Sequence, residues 1–491
     1  MLLIYVSFSS YDEALVMNRD CSYGDSIMIQ RAWYLLCLTP ALSVAVALSS
    51  QMASADEALD PIALLSEYVA VDTVNPPGNE ANAVAFYARY LEAAGIDYEV
   101  GESAPGRSNI WARLEGGEQP GLMLLQHTDV VPADERFWTT PPLEAQVEAG
   151  YLIGRGVIDM KGTGIAQFLA FLALAQSELP LQRDVVFMAT ADEEAGGFYG
   201  VDWVIKNRPS AFEGIGFVLN EGGSGSLRAG EKVFAIEVTQ KVPVWFRLSA
   251  EGMPGHGSYP RPTAAVTTLI TALVDLNNQP FPIRVIPAVD RYFKGLGAGI
   301  DGQEGQDFMD LASAVKRPDF IQELHENHPA LHALLRDTCS ITMLKGSEKI
   351  NVVPPIAEAE VDCRMLPDRP AEAFVKDFKE RLGGAQIDVE LIMAFSPAIS
   401  DAESALVRSI ERTLGNLYPS ARFTFSVASG FTDSHFTRDL GIESYGFSPM
   451  LYRDGEASGV HGNNEAIHIE RYQKAVADYQ SVVEAFVLTD Q

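Results

Sequence analysis

The chain has 491 residues, of which 47% are hydrophobic, and a formal net charge of −30 at pH 7. This length exceeds what one hydrophobic core normally supports, so we expect at least two well-packed domains. The acidic charge argues against a nucleic-acid or anionic-membrane surface, because a phosphate partner needs clustered Lys and Arg.

The N-terminal segment, residues 1–55, is predicted to be an upstream region followed by an export signal. From Met28 a basic start precedes the uncharged run WYLLCLTPALSVAVALSS and the small-residue sequence ASA at 53–55. Pro40 and the short apolar length disfavour a membrane anchor. We therefore expect a cleaved signal from about residue 28, a mature chain from about Asp56, and a periplasmic or secreted protein without membrane contact after cleavage.

Between residues 56 and 240, short apolar runs alternate with helical patterns. LMLLQ, DVVFMAT and IGFVLN are typical of buried parallel strands, and GTGIAQFLAFLALAQ predicts a helix between two of them. This order predicts the first part of an α/β domain.

A different pattern occupies residues 241–395. Its order of strand, helix, strand, strand, helix, strand predicts a small antiparallel sheet with helices on one face, which is a ferredoxin-like α+β insert. An extra, mostly helical segment lies between Arg284 and Arg336. From 396 to 491 the α/β pattern returns, so one α/β domain is predicted to be interrupted by the insert.

Two of the four cysteines, Cys21 and Cys37, lie in the segment expected to be removed. Cys339 and Cys363 lie in two predicted strands of the insert. Antiparallel pairing would set them opposite each other and allow a disulfide in an exported protein. Two free buried thiols are the alternative.

Acids and histidines recur at predicted strand ends or in the following loops, where open α/β sheets build their sites. The sequences are HTDVVP with His127 and Asp129, GRGVIDMKG with Asp159, DEEAGG with Glu193 and Glu194, NEGG with Glu221, and SGVHGNNE with His461. Each alone is explained as well by a turn or a helix cap. Together, with Arg155 and Lys161 as the nearby basic residues, they predict two bound divalent cations. Imidazole and carboxylate ligands suit zinc, and also cobalt or manganese.

The acids of DEEAGG follow the apolar strand DVVFMAT. Successive strand side chains point in opposite directions, so Glu193 and Glu194 are expected to have different roles. One can bind an ion while the other faces the reacting molecule.

The ordered set HTDVVP, GRGVIDMKG, DEEAGG, NEGG, PGHGSYP, NVVPP, DCR, GFTDSHF and VHGNNE resembles the aminoacylase, acetylornithine deacetylase and yeast carboxypeptidase S family of di-zinc amidohydrolases (clan MH). The extra helical segment resembles the longer carboxypeptidase S-like members. The resemblance implies a zinc-peptidase catalytic domain with a mixed, mostly parallel sheet, formed by 56–240 and 396–491. The insert, 241–395, would be the lid or dimerisation domain.

The resemblance also implies roles for individual residues. The expected metal ligands, with Asp159 as the bridge, are His127, Asp159, Glu194, Glu221 and His461. The expected catalytic residues are the general base Glu193, the His127-orienting Asp129, and His256, which would stabilise the oxyanion and comes from a neighbouring subunit in dimeric relatives. The expected ligands of the substrate carboxylate are Asn351 and Arg364.

Some assignments have alternatives within the sequence. Asn220 precedes Glu221, but an anion binds zinc better than an amide does. Arg364 would be only structural if it paired with Asp362 or Glu360. The sequence leaves open whether Asp433 and His435 shape specificity or only pack.

The predicted function is zinc-dependent hydrolysis of an amide bond beside a free α-carboxylate, as in a carboxypeptidase or dipeptidase. An N-acyl-amino-acid amidohydrolase of the aminoacylase type is the alternative, so the partner is a small peptide or an N-acyl amino acid. A catalytically idle periplasmic peptide-binding protein is a third class, which an intact Glu193 disfavours. The sequence leaves a homodimer through the lid open.

Overall fold

The computed structural model describes residues 59–228, 230–384, 386–453, 456 and 459–488. The predicted export signal, Cys21 and Cys37 lie outside these residues. No helix within the described ranges is long and apolar enough to cross a bilayer.

The strands and helices of the described residues follow in chain order. The strands are β1 Glu99–Ala104, β2 Arg107–Leu114, β3 Gln119–His127, β4 Gln146–Glu148, β5 Tyr151–Ile153, β6 Arg183–Thr190, β7 Ile215–Asn220, β8 Ser224–Arg228, β9 Glu231–Gln240, β10 Val242–Glu251, β11 Gly255–His256, β12 Thr338–Lys345, β13 Val352–Val353, β14 Ile356–Met365, β15 Asp388–Ala394, β16 Arg422–Ala428, β17 Glu443–Gly446, β18 Leu451–Arg453 and β19 Ala466–His468. The helices are α1 Pro61–Val69, α2 Ala81–Ala93, α3 Lys161–Ala175, α4 Val201–Asn207, α5 Ala265–Asn277, α6 Pro287–Gly297, α7 Gln303–Met309, α8 Leu311–Ala314, α9 Pro318–Asn327, α10 Pro329–Ala333, α11 Ala371–Arg381, α12 Ala405–Leu417, α13 Ser434–Asp439 and α14 Ile469–Val487.

A ten-stranded mixed sheet forms the larger part of the fold, in the order β1-β2-β6-β3-β7-β17-β9-β8-β18 with β16 paired to β9. β3 runs parallel to β6 and β7, so the carboxyl ends of these strands meet at one edge. Leu122 and Leu124 point into the core with α3 and α14, whereas Met123 and Leu125 point into a second core shared with the smaller sheet. Burial on both faces explains the continuous apolar run of β3.

A separate antiparallel sheet has the order β12-β14-β10-β15. Alternate residues of β10 are buried against α5 and α11, and Phe246 stacks on Phe378 with 3.9 Å between ring centroids. The α/β fold class with a smaller α+β insert is therefore confirmed. Helices α6–α10 form the extra segment around a third apolar cluster that includes Phe293 and Phe308. The exact domain boundaries, at 241 and 395, remain predictions.

The two cysteines of the insert are joined in the structure. Cys339 of β12 and Cys363 of β14 are direct partners in the strand register and form a disulfide. The sequence left open a disulfide or two free buried thiols, and the structure contains the disulfide.

Replacing both cysteines with serine in a protein that starts at residue 56 should lower the free energy of unfolding by roughly 3 kcal/mol. The disulfide closes a loop with a sequence separation of 24, which restricts the unfolded chain. Guanidinium unfolding with and without a reductant measures the effect. The double-serine variant should not respond to the reductant, and a parent protein that is equally stable when oxidised and reduced would contradict the prediction.

Candidate metal centre and active site

Loops and strand ends bring the five predicted metal ligands to one place. His127 is the last residue of β3, and Glu221 directly follows β7. Asp159 lies just before α3, Glu194 follows β6, and His461 precedes β19. The parallel arrangement of the central strands therefore gathers side chains that are far apart in sequence.

The two carboxylate oxygens of Asp159 face different histidines. Oδ1 lies 3.2 Å from Nε2 of His127, and Oδ2 lies 3.1 Å from Nε2 of His461. His127 Nε2 also lies 3.6 Å from Oε2 of Glu221, and His461 Nε2 lies 3.0 Å from Oε2 of Glu194. A carboxylate shared between two such ligand groups is what a two-metal site requires of its bridge.

The site is short of positive charge. Burial raises the pKa of Glu221 to about 7, although the positive charge of His127 opposes this effect. Hydrogen bonds to Asp159 and Glu194 raise the pKa of His461 to about 10. The raised pKa of His461 therefore reflects the carboxylates around it, whereas that of Glu221 reflects burial.

The nearby basic side chains do not supply the missing charge. Arg155 pairs with Glu465 at 2.9 Å. The ammonium group of Lys161 donates to two backbone carbonyl groups, and burial lowers its pKa to about 7. Oε1 of Glu194 is buried without a hydrogen-bond partner in the described part of the chain. The donor set therefore fits two divalent cations.

The acid-rich turn after β6 differs from the predicted strand. β6 ends at Thr190, Asp192 has a left-handed φ of 74°, and Glu193–Ala195 form a short 3-10 helix. Asp192 accepts a hydrogen bond of 2.6 Å from Arg107, which also donates two of 2.8 Å to Glu80. The expectation that strand alternation separates the two glutamates was wrong, because Asp192 turns the chain before them.

Glu193 and Glu194 still have different surroundings. Glu194 contacts His461, whereas a carboxylate oxygen of Glu193 lies within 4.8 Å of ligand atoms of His127 and Glu221. Burial, together with the charge of Glu221, raises the pKa of Glu193 well above its ordinary value. A buried carboxyl group of this kind beside a ligand group is suited to exchange protons with a bound molecule.

Asp129 fixes the turn that carries both glutamates. Its Oδ1 accepts the N–H of Glu193 at 3.1 Å, and its Oδ2 accepts the N–H of Glu194 at 3.2 Å and the side-chain amide of Asn75 at 2.8 Å. Nδ1 of His127 lies 3.0 Å from the backbone carbonyl oxygen of Asp129 and 3.6 Å from its Oδ1. Asp129 therefore contacts His127 most closely through its backbone carbonyl group, and its carboxylate holds the turn of the expected base, a contact that the sequence did not indicate.

Glu465 is a buried acid that the sequence analysis did not assign. It accepts hydrogen bonds of 2.7 to 3.0 Å from the Arg155 side chain and from three backbone N–H groups, including that of Asp159. Glu465 therefore ties the loop of Asp159 to the loop of His461. Its position four residues after His461 could have indicated a role at the site. No sequence pattern, however, predicts that an acid will bind backbone N–H groups.

Two predicted lid residues lie side by side. β11 and β13 pair His256 with Val352, and the N–H of Gly257 donates to the carbonyl oxygen of Asn351 at 2.8 Å. Both His256 and Asn351 are exposed. Nδ1 of His256 lies 2.8 Å from Oγ of Ser258, so this polar contact stays within its own loop.

Arg364 forms the salt bridge that the sequence left as an alternative. It donates to Asp362 at 2.8 and 3.2 Å, and its guanidinium carbon lies 5.4 Å from the ring centre of Phe431. Its Nη1 is buried and has no hydrogen-bond partner among the described residues. Pairing with Asp362 therefore leaves one donor nitrogen of Arg364 for another ligand.

The segment after β16 supplies two further buried side chains. Asp433 accepts a hydrogen bond of 3.3 Å from Thr190, and its negative charge contributes to the raised pKa of Glu193. The ring of His435 stacks on Phe395 with 3.7 Å between centroids. Asp433 thus lies close enough to influence the site, whereas His435 packs against an aromatic ring.

Residues 123–485 match the family model described as Peptidase family M20/M25/M40. The chain belongs to this family. Enzymes of the M20 family typically depend on two metal ions, which agrees with the Asp159-centred ligand set. The predicted hydrolase class is therefore confirmed, whereas the carboxypeptidase S-like subtype remains a prediction.

Relatives within the M20 family share most of the chain. N-fatty-acyl-amino acid synthase/hydrolase PM20D1 of Mus musculus is 26% identical over 383 residues, or 73% of each chain. Aminoacylase-1 of Mus musculus is 25% identical over 440 residues, covering 86% of this chain and 94% of that relative. The structure of the M20 family metallo-carboxypeptidase Sso-CP2 from Sulfolobus solfataricus has a TM-score of 0.65 and 19% identity, covering 87% of this chain and 99% of that one. The last similarity supports the fold.

Replacing Asp129 with Asn should weaken metal binding by about 10- to 100-fold, as loss of a supporting hydrogen bond typically does. The groups around this carboxylate are hydrogen-bond donors, so an amide NH₂ would face another N–H. Metal content after dialysis against graded chelator measures the change. Asp134→Asn is the matched control, because Asp134 is exposed and pairs with Arg136. Equal metal retention by both variants would contradict the prediction.

Proposed function

We propose that this protein is a zinc-dependent amidohydrolase that releases an amino acid from an N-acyl amino acid. The observation that carries the proposal is the division of the Asp159 carboxylate between His127 and His461. The acyl-amino-acid substrate is supported by the names of PM20D1 and aminoacylase-1, which match this chain over most of its length. A carboxypeptidase or dipeptidase of the carboxypeptidase S-like type would use the same groups and is the alternative.

The proposed chemistry assigns proton transfer to Glu193. When bound, two divalent ions would polarise a carbonyl oxygen and make water more acidic. Glu193 would accept a proton from the attacking water and return it to the amine nitrogen as the C–N bond breaks. The water oxygen remains in the carboxylic acid product. The hydrogen bond between the Glu193 N–H and Asp129 would keep this base in place.

The proposed substrate orientation places the free α-carboxylate against the lid. Arg364 retains a buried Nη1 without a partner in the described ranges, and a guanidinium group binds carboxylate well. Asn351 would assist it, and the neighbouring His256 would stabilise the oxyanion. The polar contact of His256 with Ser258 lies within its own loop, so His256 would act after lid movement or in a partner's site.

We also propose export through the signal expected at residues 28–55. The disulfide between Cys339 and Cys363 supports an oxidising location, because such bonds persist outside the reducing cytosol.

A homodimer through the lid sheet is a further part of the proposal. β12 is the edge strand of that sheet, and its Ile341, Met343 and Leu344 are 39%, 60% and 66% exposed. On the neighbouring helix α5, Ile270 and Val274 are 52% and 49% exposed. An open edge strand beside exposed apolar side chains is a surface that tends to pair with another chain.

The function is tested on purified protein covering residues 56–491. We expect about two zinc ions per chain and chelator-sensitive release of the C-terminal amino acid from N-acyl amino acids in preference to matched dipeptides. Glu193→Gln should lower kcat at least ~10²-fold while the zinc remains bound, because proton transfer is lost. Faster hydrolysis of the dipeptides than of the matched N-acyl amino acids would favour the carboxypeptidase or dipeptidase alternative.

Glu135→Gln is the matched control for the Glu193 experiment, since Glu135 lies in an exposed turn. Bound metal without turnover on either substrate panel would refute the hydrolase. Near-normal kcat in Glu193→Gln would remove that residue from the mechanism.

Leu344→Lys should shift the protein from dimer to monomer in sedimentation velocity, because a charge would be buried at the proposed contact. Leu417→Lys is the control, since Leu417 is an exposed apolar residue at the end of α12. A parent protein that is monomeric at all concentrations would contradict the proposed dimer.

A further inference from the structure

The chain passes between the α/β domain and the insert at two places. It enters the insert where β9 meets β10 and leaves it after β15. The N–H of Phe395 donates to the carbonyl oxygen of Pro243 at 3.3 Å, so the two passages are in direct contact. Both also meet residues 432–438 of the α/β domain, which include α13 and which we call the junction segment. The insert is therefore joined to the α/β domain at one compact junction.

Side chains of the junction segment contact each passage. Oγ1 of Thr432 donates to Oε1 of Gln240 at 3.0 Å, and Nε2 of Gln240 donates to the carbonyl oxygen of Thr432 at 3.3 Å. The ring of His435 stacks on Phe395 with 3.7 Å between centroids. His435 also lines a cavity of about 10 Å³ together with Pro243. A movement of either passage would therefore be felt by the junction segment.

The same segment contacts the turn after β6 that carries Glu193. Oδ2 of Asp433 accepts a hydrogen bond from Thr190 at 3.3 Å. A β-carbon placed on Gly197, at the other end of the turn, would lie 2.6 Å from Oδ1 of Asp433 and 2.6 Å from the ring of Phe436. Both ends of this turn therefore pack directly against the junction segment.

A second contact reaches the strand that ends just before Glu221. Nδ2 of Asn220, the last residue of β7, donates to Oγ of Ser434 at 3.1 Å. The two residues are 1% and 0% exposed, so this hydrogen bond is shielded from water. The junction segment thus lies between the passages to the insert and the backbone that carries Glu193 and Glu221.

His435 is an uncharged ring within this segment. Its Nδ1 lies 2.7 Å from the carbonyl oxygen of Thr432, which can only accept, so Nδ1 carries the proton. Nε2 is buried and has no hydrogen-bond partner in the described part of the chain. Burial lowers the pKa of His435 to about 3, so the ring stays neutral at pH 7. Its contact with the insert is therefore the flat stacking on Phe395 and not a charge interaction.

We infer that His435 is a positioning residue, which fixes the insert relative to the turn of Glu193 by stacking on Phe395. The inference rests on the proposed amide hydrolysis, in which Arg364 of the insert holds the substrate carboxylate while Glu193 acts at the amide. Both groups must meet the same substrate, so a small shift of the insert would move the amide away from the base. A misplacement of about 1 Å can cost roughly 100-fold in rate.

Kinetics of the zinc-loaded proteins on an N-acyl amino acid test the stacking contact. His435→Ala should lower kcat at least ~10-fold without loss of zinc, because the insert is no longer held in place. His435→Phe should restore kcat, since a phenyl ring can stack on Phe395 in the same way. Phe395→Leu removes the contact from the insert side, should match His435→Ala, and replaces it if that variant does not fold. A normal kcat in the alanine variant, or an equal loss in His435→Phe, would overturn the inference.

Hydrogen exchange tests the same link without hydrolysis. His435→Ala should speed backbone exchange at both passages and also in the turn at 190–197, and His435→Phe should not. His468→Ala is the matched control, because His468 packs on Tyr151 within the α/β domain, with 5.1 Å between ring centroids. Faster exchange confined to the junction segment, or an equal response in the control, would overturn the inference. If the turn responds but the parent cleaves neither N-acyl amino acids nor dipeptides, the link stands and the proposed hydrolase fails.

Discussion

The sharing of one carboxylate between two histidines is the interaction on which the site depends. Oδ1 and Oδ2 of Asp159 contact His127 and His461, which belong to the two separate sequence segments of the α/β domain. Glu465 accepts the backbone N–H of Asp159 and belongs to the loop of His461. One buried acid therefore holds the bridge and one of the two histidines in a fixed relation. Its negative charge is matched by Arg155, so it adds no uncompensated charge to the cluster.

The turn after β6 explains how a buried strand can be followed directly by three acidic residues. Asp192 pairs with Arg107 and also accepts the N–H of Tyr199 at 3.0 Å, and these bonds support its left-handed backbone. Glu193 and Glu194 can then leave the turn toward different neighbours. Asp129 accepts both of their N–H groups. Asp192 and Glu194 thus have separate side-chain partners, Arg107 and His461, while Glu193 lies beside His127 and Glu221.

The sequence predicted those parts of the molecule that depend on burial and periodicity. The apolar run of β3 and the strand order of the insert reflect which faces are buried, so the fold class and the strand-end positions of His127 and Glu221 followed from pattern. The left-handed φ of Asp192 and the backbone contacts of Glu465 depend on groups brought together only by folding. The cysteine pair is intermediate, because strand order placed the two residues in neighbouring strands but only the register of β12 and β14 sets them opposite each other.

The strongly acidic charge of the chain does not conflict with the carboxylate-bearing substrate proposed above. At physiological salt, charges farther than about 8 Å from the substrate carboxylate are largely screened, so the net charge of −30 has little effect at the site. Arg364 is held by Asp362, and its Nη1 has no partner within the described chain, so the proposed contact with the substrate carboxylate would be made at short range. The insert would then orient the proposed substrate through its carboxylate, and the amide would be left at the ligand cluster.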